Sequence, residues 1–345
     1  MFENIEKRSF SVIGIGEVML RLSPPAKERI SYSESFEKMA GGSELNVVSG
    51  LSMLGLRTGI ITKLPKNEIG KFIKNKIRYT GTSDDYIIYD TRIDKRLGVY
   101  YYESGAYPRL PIALYDRRAS SFTSFRAQEV KDEVYNNTNL FHTSGITLAL
   151  SEELSQNVAA MMKKFHESGA LVSFDVNYRS SLWSEERARS TIEGILPYVD
   201  VFFISEDSAR TMFKMTGTLK EIQRHFKEKY KNLTFIASTK RRVISAAKHS
   251  FSSLVYDANK NLHYEDTPYK NIDVVDRIGS GDAYVAGALY GLLKHKSITA
   301  AAKYGNAMAV LKNTVYGDMT ACDLADIERI INSHDGSIQK CELIR

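Results

Sequence analysis

The spacing of apolar residues changes along the chain, and the changes mark out elements. Ser11 to Gly16 is a short apolar run closing on Gly-Ile-Gly, and Val18 to Leu22 alternates before stopping at Ser23-Pro24-Pro25. Both read as strands. Residues 30–39 and 97–117 also read as strands, the second region rich in tyrosine (Tyr100, Tyr101, Tyr102, Tyr107, Tyr115) and alternating with a period of two. From Glu44 to Leu54 apolar positions recur at helical spacing, and Gly55 closes the segment. Strands near 139–143, 170–175, 199–204 and 233–237 then alternate with helices over 151–168, 185–196, 206–215, 219–230, 282–294 and 298–313. That rhythm predicts parallel βαβ units with helices on both faces of one sheet. The early strands, which do not alternate with helices, predict a small separate sheet. The expected organisation is a mostly parallel α/β core of residues 11–17, 40–96 and 118–330, a discontinuous sheet of 18–39 and 97–117, and a C-terminal tail, 331–345.

Composition narrows the class. The 345 residues are 43% hydrophobic and 26% charged, enough for a large core with a smaller attached unit. Lys and Arg number 47 against 41 Asp and Glu, a net charge of +6, which suits small anionic ligands or nucleic acid. The basic residues are scattered, as in Lys71, Lys74, Lys76 and Arg78 on one probable helix face, and form no continuous arm, which favours a solvated face over a nucleic-acid surface. The two cysteines, Cys322 and Cys341, have no metal-ligand spacing to any histidine, so neither a disulfide framework nor structural zinc is expected. Met1 to Phe10 lacks the apolar centre of a signal peptide and no stretch approaches 18 apolar residues; a cytoplasmic location is expected.

The densest chemistry lies in Asp276-Arg277-Ile278-Gly279-Ser280-Gly281-Asp282, which leads into an apolar helix. Gly279 and Gly281 let successive N–H groups point at one spot, and a helix N-terminus adds unpaired donors and the positive end of its dipole. Asp282 beside a bound phosphate would be unfavourable unless it took a proton from an attacking hydroxyl. The other reading is a plain strand-to-helix turn with Asp282 as its cap. A second glycine segment, Gly41-Gly42-Ser43-Glu44-Leu45-Asn46, lets backbone approach a ligand closely, and Asn46 offers a donor and an acceptor to hydroxyls. Other nucleotide motifs are missing: there is no G-x-x-x-x-G-K-[ST], Gly14-Ile15-Gly16 has Met19 where a dinucleotide fingerprint needs glycine, and no H-R-D and D-F-G pair occurs.

These two segments, in this order, resemble the signatures of the ribokinase or PfkB-type carbohydrate kinases. Within that family the chain is similar to the kinases of 2-keto-3-deoxygluconate through Glu17-Val18-Met19-Leu20-Arg21-Leu22-Ser23-Pro24, through Asp175-Val176-Asn177-Tyr178-Arg179 with Leu182-Trp183, and through Tyr115-Asp116-Arg117-Arg118. The resemblance spans residues 11 to about 330. It implies a ribokinase-like three-layer α/β/α domain whose small sheet acts as a lid, and ATP-dependent phosphorylation of the terminal hydroxyl of the sugar acid with Mg2+. It implies Asp282 as base, an anion hole of Gly279, Ser280 and Gly281, and sugar contacts from Gly41, Gly42, Asn46, Tyr100, Arg117, Arg179 and Asp282. It places the nucleotide near Thr239, Lys240, Asn306 and Asp318.

Arg117 and Arg179 could neutralise a sugar carboxylate through paired N–H donors, with Tyr100 adding a phenolic hydrogen bond. The alternative is structural pairing of Arg179 with Asp175 and of Arg117 with Asp116. The chain departs from its relatives at Ser205-Glu206-Asp207-Ser208, where many carry N-x-x-E, so Glu206 and Asp207 are candidates to organise the metal through water. It departs again at Ser238-Thr239-Lys240-Arg241-Arg242-Val243, where many carry a glycine-rich turn, and at Asp116, where several sugar-acid kinases carry tyrosine. Three readings stay open: a sugar-acid kinase, a kinase of a neutral ketose such as fructose, and a non-catalytic sugar-binding protein. Tyr101, Phe36 and Met39 are candidates for an apolar outer face of the small sheet, which predicts a homodimer or higher homo-oligomer through that sheet. Neither nucleic acid nor a membrane is expected as a partner.

Overall fold

A computed structural model describes residues 8–245 and 247–336. In its first third the chain forms β1 (Phe10–Ile15), β2 (Met19–Ser23), β3 (Glu37–Gly41), α1 (Ser43–Met53), β4 (Thr58–Pro65), α2 (Glu68–Tyr79), β5 (Ile87–Asp90), β6 (Gly98–Glu103) and β7 (Ile112–Asp116). The middle forms α3 (Glu133–Asn136), β8 (Thr138–Ser144), α4 (Gly145–Ala149), α5 (Glu152–Glu167), β9 (Leu171–Asp175), α6 (Glu185–Ile195), β10 (Val201–Phe203), α7 (Glu206–Thr211) and α8 (Leu219–Lys229). Then follow β11 (Phe235–Ser245), β12 (Lys248–Asp257), β13 (Leu262–Glu265), β14 (Tyr269–Asp273), α9 (Ser280–His295), α10 (Ile298–Asn313) and α11 (Leu324–His334).

The large sheet runs β13-β12-β11-β10-β9-β8-β1-β4-β5, with β14 also on β12. From β11 to β5 every pairing is parallel, as the βαβ rhythm predicts. Alternate residues feed opposite layers: Ile13, Ile61, Phe141 and Phe202 pack into one apolar cluster, Val12, Ile60, Leu140 and Val201 into the other. Both faces are therefore covered, and β4 is buried at all eight positions. Beyond β11 the sheet turns antiparallel, which the sequence rhythm does not predict.

The second sheet, β3-β2-β6-β7, is built from the two regions expected to form it. It differs from the reading in one respect: of residues 30–39 only 37–39 are extended, as the start of the strand Glu37–Gly41. Pro24 and Pro25 start a stretch of turns, and Tyr32, 82% exposed, has no apolar face to join. The strand expected at 233–237 starts at Phe235 and continues to Ser245 through Lys240, Arg241 and Arg242, a polar run that carries no apolar period. The C-terminal boundary moves as well, because α11 continues to His334 and places Ile331 in the core. Residues 337–345, including Cys341, lie outside the described residues.

Candidate active site

Parallel strands deliver their C-terminal ends to one edge, and a cleft of ≈ 2340 Å³ opens there between the large and small sheets. Asp282 lies in the first turn of α9 at its floor, only 8% exposed. Its Oδ2 accepts from Asn46 Nδ2 at 2.7 Å, and its Oδ1 accepts from Ser43 Oγ at 2.8 Å and Asn177 Nδ2 at 3.4 Å. Burial pushes the Asp282 carboxyl above the ordinary aspartate range, while these donors and the Arg179 charge hold it back. The bonds fix the carboxylate in place without removing it from the cleft, and Asp282 is not the cap of its helix: Gly279 stands at the N-cap and no side chain caps α9.

The turn before α9 depends on glycine. Gly279 has φ 81°, and a Cβ there would lie 2.0 Å from the Asp318 carbonyl oxygen. At Gly281 an added Cβ meets nothing within 4 Å, so this face of the turn opens on the cleft. Gly279, Ser280 and Gly281 all line it.

Gly41 and Gly42 are required by close approach: a Cβ on Gly41 would lie 1.9 Å from Asp318 Oδ2, and one on Gly42 2.5 Å from the Glu17 carbonyl oxygen. Gly42 faces the cleft, whereas Gly41 does not line it. Asn46 commits its amide to Asp282 and leaves Oδ1 buried without a partner, an acceptor waiting beside the carboxylate. In the first turn of α1, Glu44 is buried and accepts from Ser144 N, Ser144 Oγ and Thr147 Oγ1 at 2.7–2.9 Å, which anchors this helix to the end of β8.

The small sheet supplies the opposite wall. Tyr100 and Tyr115 stack with centroids 5.5 Å apart, and Met19 and Tyr102 extend the surface. Tyr100 differs from expectation: its hydroxyl is buried and donates to Asp318 rather than into the cleft. Arg117 does reach the cleft but pairs with Glu17, donating from Nε at 2.7 Å and also from Nη2, while Ser120 Oγ donates to the same carboxylate. The proposed structural partner of Arg117, Asp116, instead pairs with Arg96. Arg179 lines the cleft exposed and donates to the Tyr178 carbonyl at 3.0 Å; among the described residues it has no carboxylate within 4 Å, so it does not pair with Asp175.

Asp175, at the end of β9, is raised to about 7 by burial and then by the neighbouring charge of Asp282. Asn177 follows with φ 35°, a left-handed conformation that asparagine tolerates best among side-chain-bearing residues, and this turn aims its amide at Ser43 and Asp282. Glu17, Ser43, Asp175 and Asn177 were not singled out as site residues. Asp175 and Asn177 stand in the same short segment as Arg179, and Ser43 lies inside the glycine segment, so the signal was present in both places.

The nucleotide assignments divide. Thr239 and Lys240 line the cleft from β11, with Lys240 paired to Glu265 at 2.6 Å. Asn306 does not: α10 presents it, fully buried, to Ser253 of β12, whose Oγ donates to it at 2.9 Å. Asp318 lines the cleft on the small-sheet side, where Arg21 and Tyr100 hold its carboxylate. Glu206 and Asp207 both line the cleft; Glu206 is engaged by Arg210 at 2.7 Å, whereas Asp207 has no such partner among the described residues. Among the described residues no group of three or more His, Cys, Asp or Glu side chains could hold a metal ion, and no helix is long and apolar enough to cross a membrane.

Residues 9–324 match the model of the pfkB family carbohydrate kinases. A 2-dehydro-3-deoxygalactonokinase of Haloferax volcanii is 33% identical over 329 residues, covering 95% of this chain and 99% of that protein. The solved 2-dehydro-3-deoxygluconokinase of Thermotoga maritima superposes with a TM-score of 0.88 at 31% identity, over 94% of this chain and 99% of that one. A ribokinase II structure from E. coli in complex with ATP and Mg2+ shares the fold, with a TM-score of 0.77 at 20% identity, over 94% of this chain and 100% of that one.

Proposed function

Since the chain belongs to the pfkB family of carbohydrate kinases and is related to its sugar-acid kinases, we propose that it phosphorylates the terminal hydroxyl of 2-keto-3-deoxygluconate with ATP, giving 2-keto-3-deoxy-6-phosphogluconate and ADP. Asp282 takes the hydroxyl proton, the oxygen attacks the γ-phosphorus in line, and ADP leaves with the donor's bridging oxygen. The amides of Gly279, Ser280, Gly281 and Asp282 stabilise charge on the transferred group. Asn46 Oδ1 accepts from a sugar hydroxyl, and Gly42 permits backbone approach. The observation that carries the sugar-acid reading is Arg179, a guanidinium that lines the cleft with Asp282 and has no carboxylate partner among the described residues.

Mg2+ would be held by the donor's phosphate oxygens, with Asp207 the available carboxylate to face its waters, and would supply charge neutralisation. Arg117, already paired to Glu17, favours the second reading, a neutral ketose. A homodimer through the outer face of the small sheet agrees with the exposure of Ile112 and Leu114 beside the edge-to-face pair of Phe36 and Tyr101.

The test is ADP release with ATP and Mg2+ on 2-keto-3-deoxygluconate, its galactonate epimer, fructose and ribose, with Asp282→Asn as blank. Turnover on keto-acids alone, lost in the variant, supports the proposal. Turnover only on fructose or ribose replaces the substrate, and silence on all four overturns the kinase reading.

A further inference from the structure

Among the cations lining the cleft, Arg117 is matched by Glu17 and Lys240 by Glu265. Arg241 and Arg277 are among those with no such partner within the described residues. Arg241 stands on β11 just beyond Lys240, and Arg277 on the loop that enters α9, two residues before Gly279. Both line the cleft and are exposed, and among the described residues neither has a carboxylate within 4 Å. They come from different elements but line the same cleft. Desolvation in the cleft and then the charges of Arg277 and Arg179 push the Arg241 guanidinium down, with Asp207 opposing. His249, on β12, is pushed down first by burial and then by the charges of Arg241 and Arg277.

Two guanidinium charges that share one cleft without counter-ions repel, and folding gains nothing from the arrangement. An anion with charge on several oxygens, placed between them, reverses the sign. The loop carrying Arg277 also presents the open turn at Gly281, so such an anion would reach both the arginines and the helix terminus. The segment Lys240-Arg241-Arg242 also stands where many relatives carry a glycine-rich turn.

We propose that Arg241 and Arg277 form a two-sided clamp on the phosphate chain of the phosphoryl donor, binding its non-transferred phosphates through paired N–H donors. This rests on the kinase reading above and adds to it the residues that select a polyphosphate donor. Planar, permanently charged forks on both sides suit phosphate oxygens better than ammonium groups do.

Binding of ATP, tripolyphosphate and AMP to the full chain, measured by titration calorimetry at two salt concentrations, tests it with Arg241→Gln, Arg277→Gln and the Lys variants at both sites. The expected result is ATP and tripolyphosphate binding weakened on the order of 10- to 100-fold by each Gln change. AMP affinity, sugar KM and melting temperature should be unchanged, with Lys intermediate and the loss smaller at high salt. Variants that bind ATP as tightly as the parent protein overturn the clamp while leaving the kinase reading in place. So does an equal loss for AMP, which marks a merely structural role. A parent protein that binds neither ATP nor tripolyphosphate overturns both proposals.

Discussion

Arg21 and Asp318, 297 residues apart, are joined by a 2.8 Å ion pair in which Arg21 has no solvent exposure at all. The same Nη1 lies 2.7 Å from Asp276 Oδ2, and the guanidinium faces the Tyr102 ring at 4.5 Å. Asp276 in turn accepts from the N–H groups of Ile278 and Gly317. One buried cation therefore ties the small sheet to the loop that opens α9.

Removing that cation leaves two carboxylates in the interior. Arg21→Met is expected to destabilise the protein by ~3–5 kcal/mol, measured by denaturant unfolding. Adding Asp318→Asn should recover part of the loss, since one orphaned charge goes with it. An unaffected midpoint in Arg21→Met would show that the network contributes no net stability.

The two glycines of the anion-hole turn should separate stability from catalysis. Gly279→Ala places a methyl group against the Asp318 carbonyl at positive φ and should lower the melting temperature by several degrees. Gly281→Ala meets no atom, so the melting temperature should hold while the methyl group intrudes on the anion site and raises the ATP KM. Differential scanning calorimetry beside steady-state kinetics decides whether the two effects separate in this way.

Asp175 links stability to pH. Its folded value of about 7 exceeds the ordinary 3.8, so across that interval the folded state holds a proton that the unfolded chain has released. The stability this group contributes is complete below about 4 and is lost as pH rises through about 7. Asp175→Asn should accordingly raise the melting temperature at pH 8 and leave it nearly unchanged at pH 4. Equal shifts at both values would assign the effect to packing.

A base must be ionised to act. Because burial raises Asp282, kcat should fall on acidification at a pH above the usual aspartate range, and Asp282→Asn should lose on the order of 10²- to 10⁴-fold in kcat. Rate profiles from pH 4 to 9 check the first statement. A variant retaining most of its kcat would remove Asp282 from the chemistry.

Much of the site was legible where one short segment does a whole job. Gly279, Gly281 and Asp282 announce an anion turn because backbone freedom, helix dipole and carboxylate fall within four residues. The two sheets were legible because strands that alternate with helices and strands that do not obey different connection rules. What sequence spacing hid were partnerships closed by topology. Glu17 meets Arg117 across 100 positions, and Tyr100 spends its hydroxyl on Asp318 across 218. Asn306 sits on a helix buried on nearly every side, so no amphipathic stripe distinguishes a polar side chain aimed at a cleft from one aimed at Ser253. The antiparallel β12 to β14 edge was hidden because β11 stays extended through a charged run with no apolar period.

The chain crosses between its sheets four times: at Gly16–Val18, at Gly42, through residues 91–97, and at Arg117–Ser120. Three of these joints carry Glu17, Gly42 or Arg117, all facing the cleft. The axle of any swing between the sheets and the seat of the ligand are thus the same few residues. A molecule seated there bears on the pivot itself, so its grip and the angle of the sheets are a single mechanical variable.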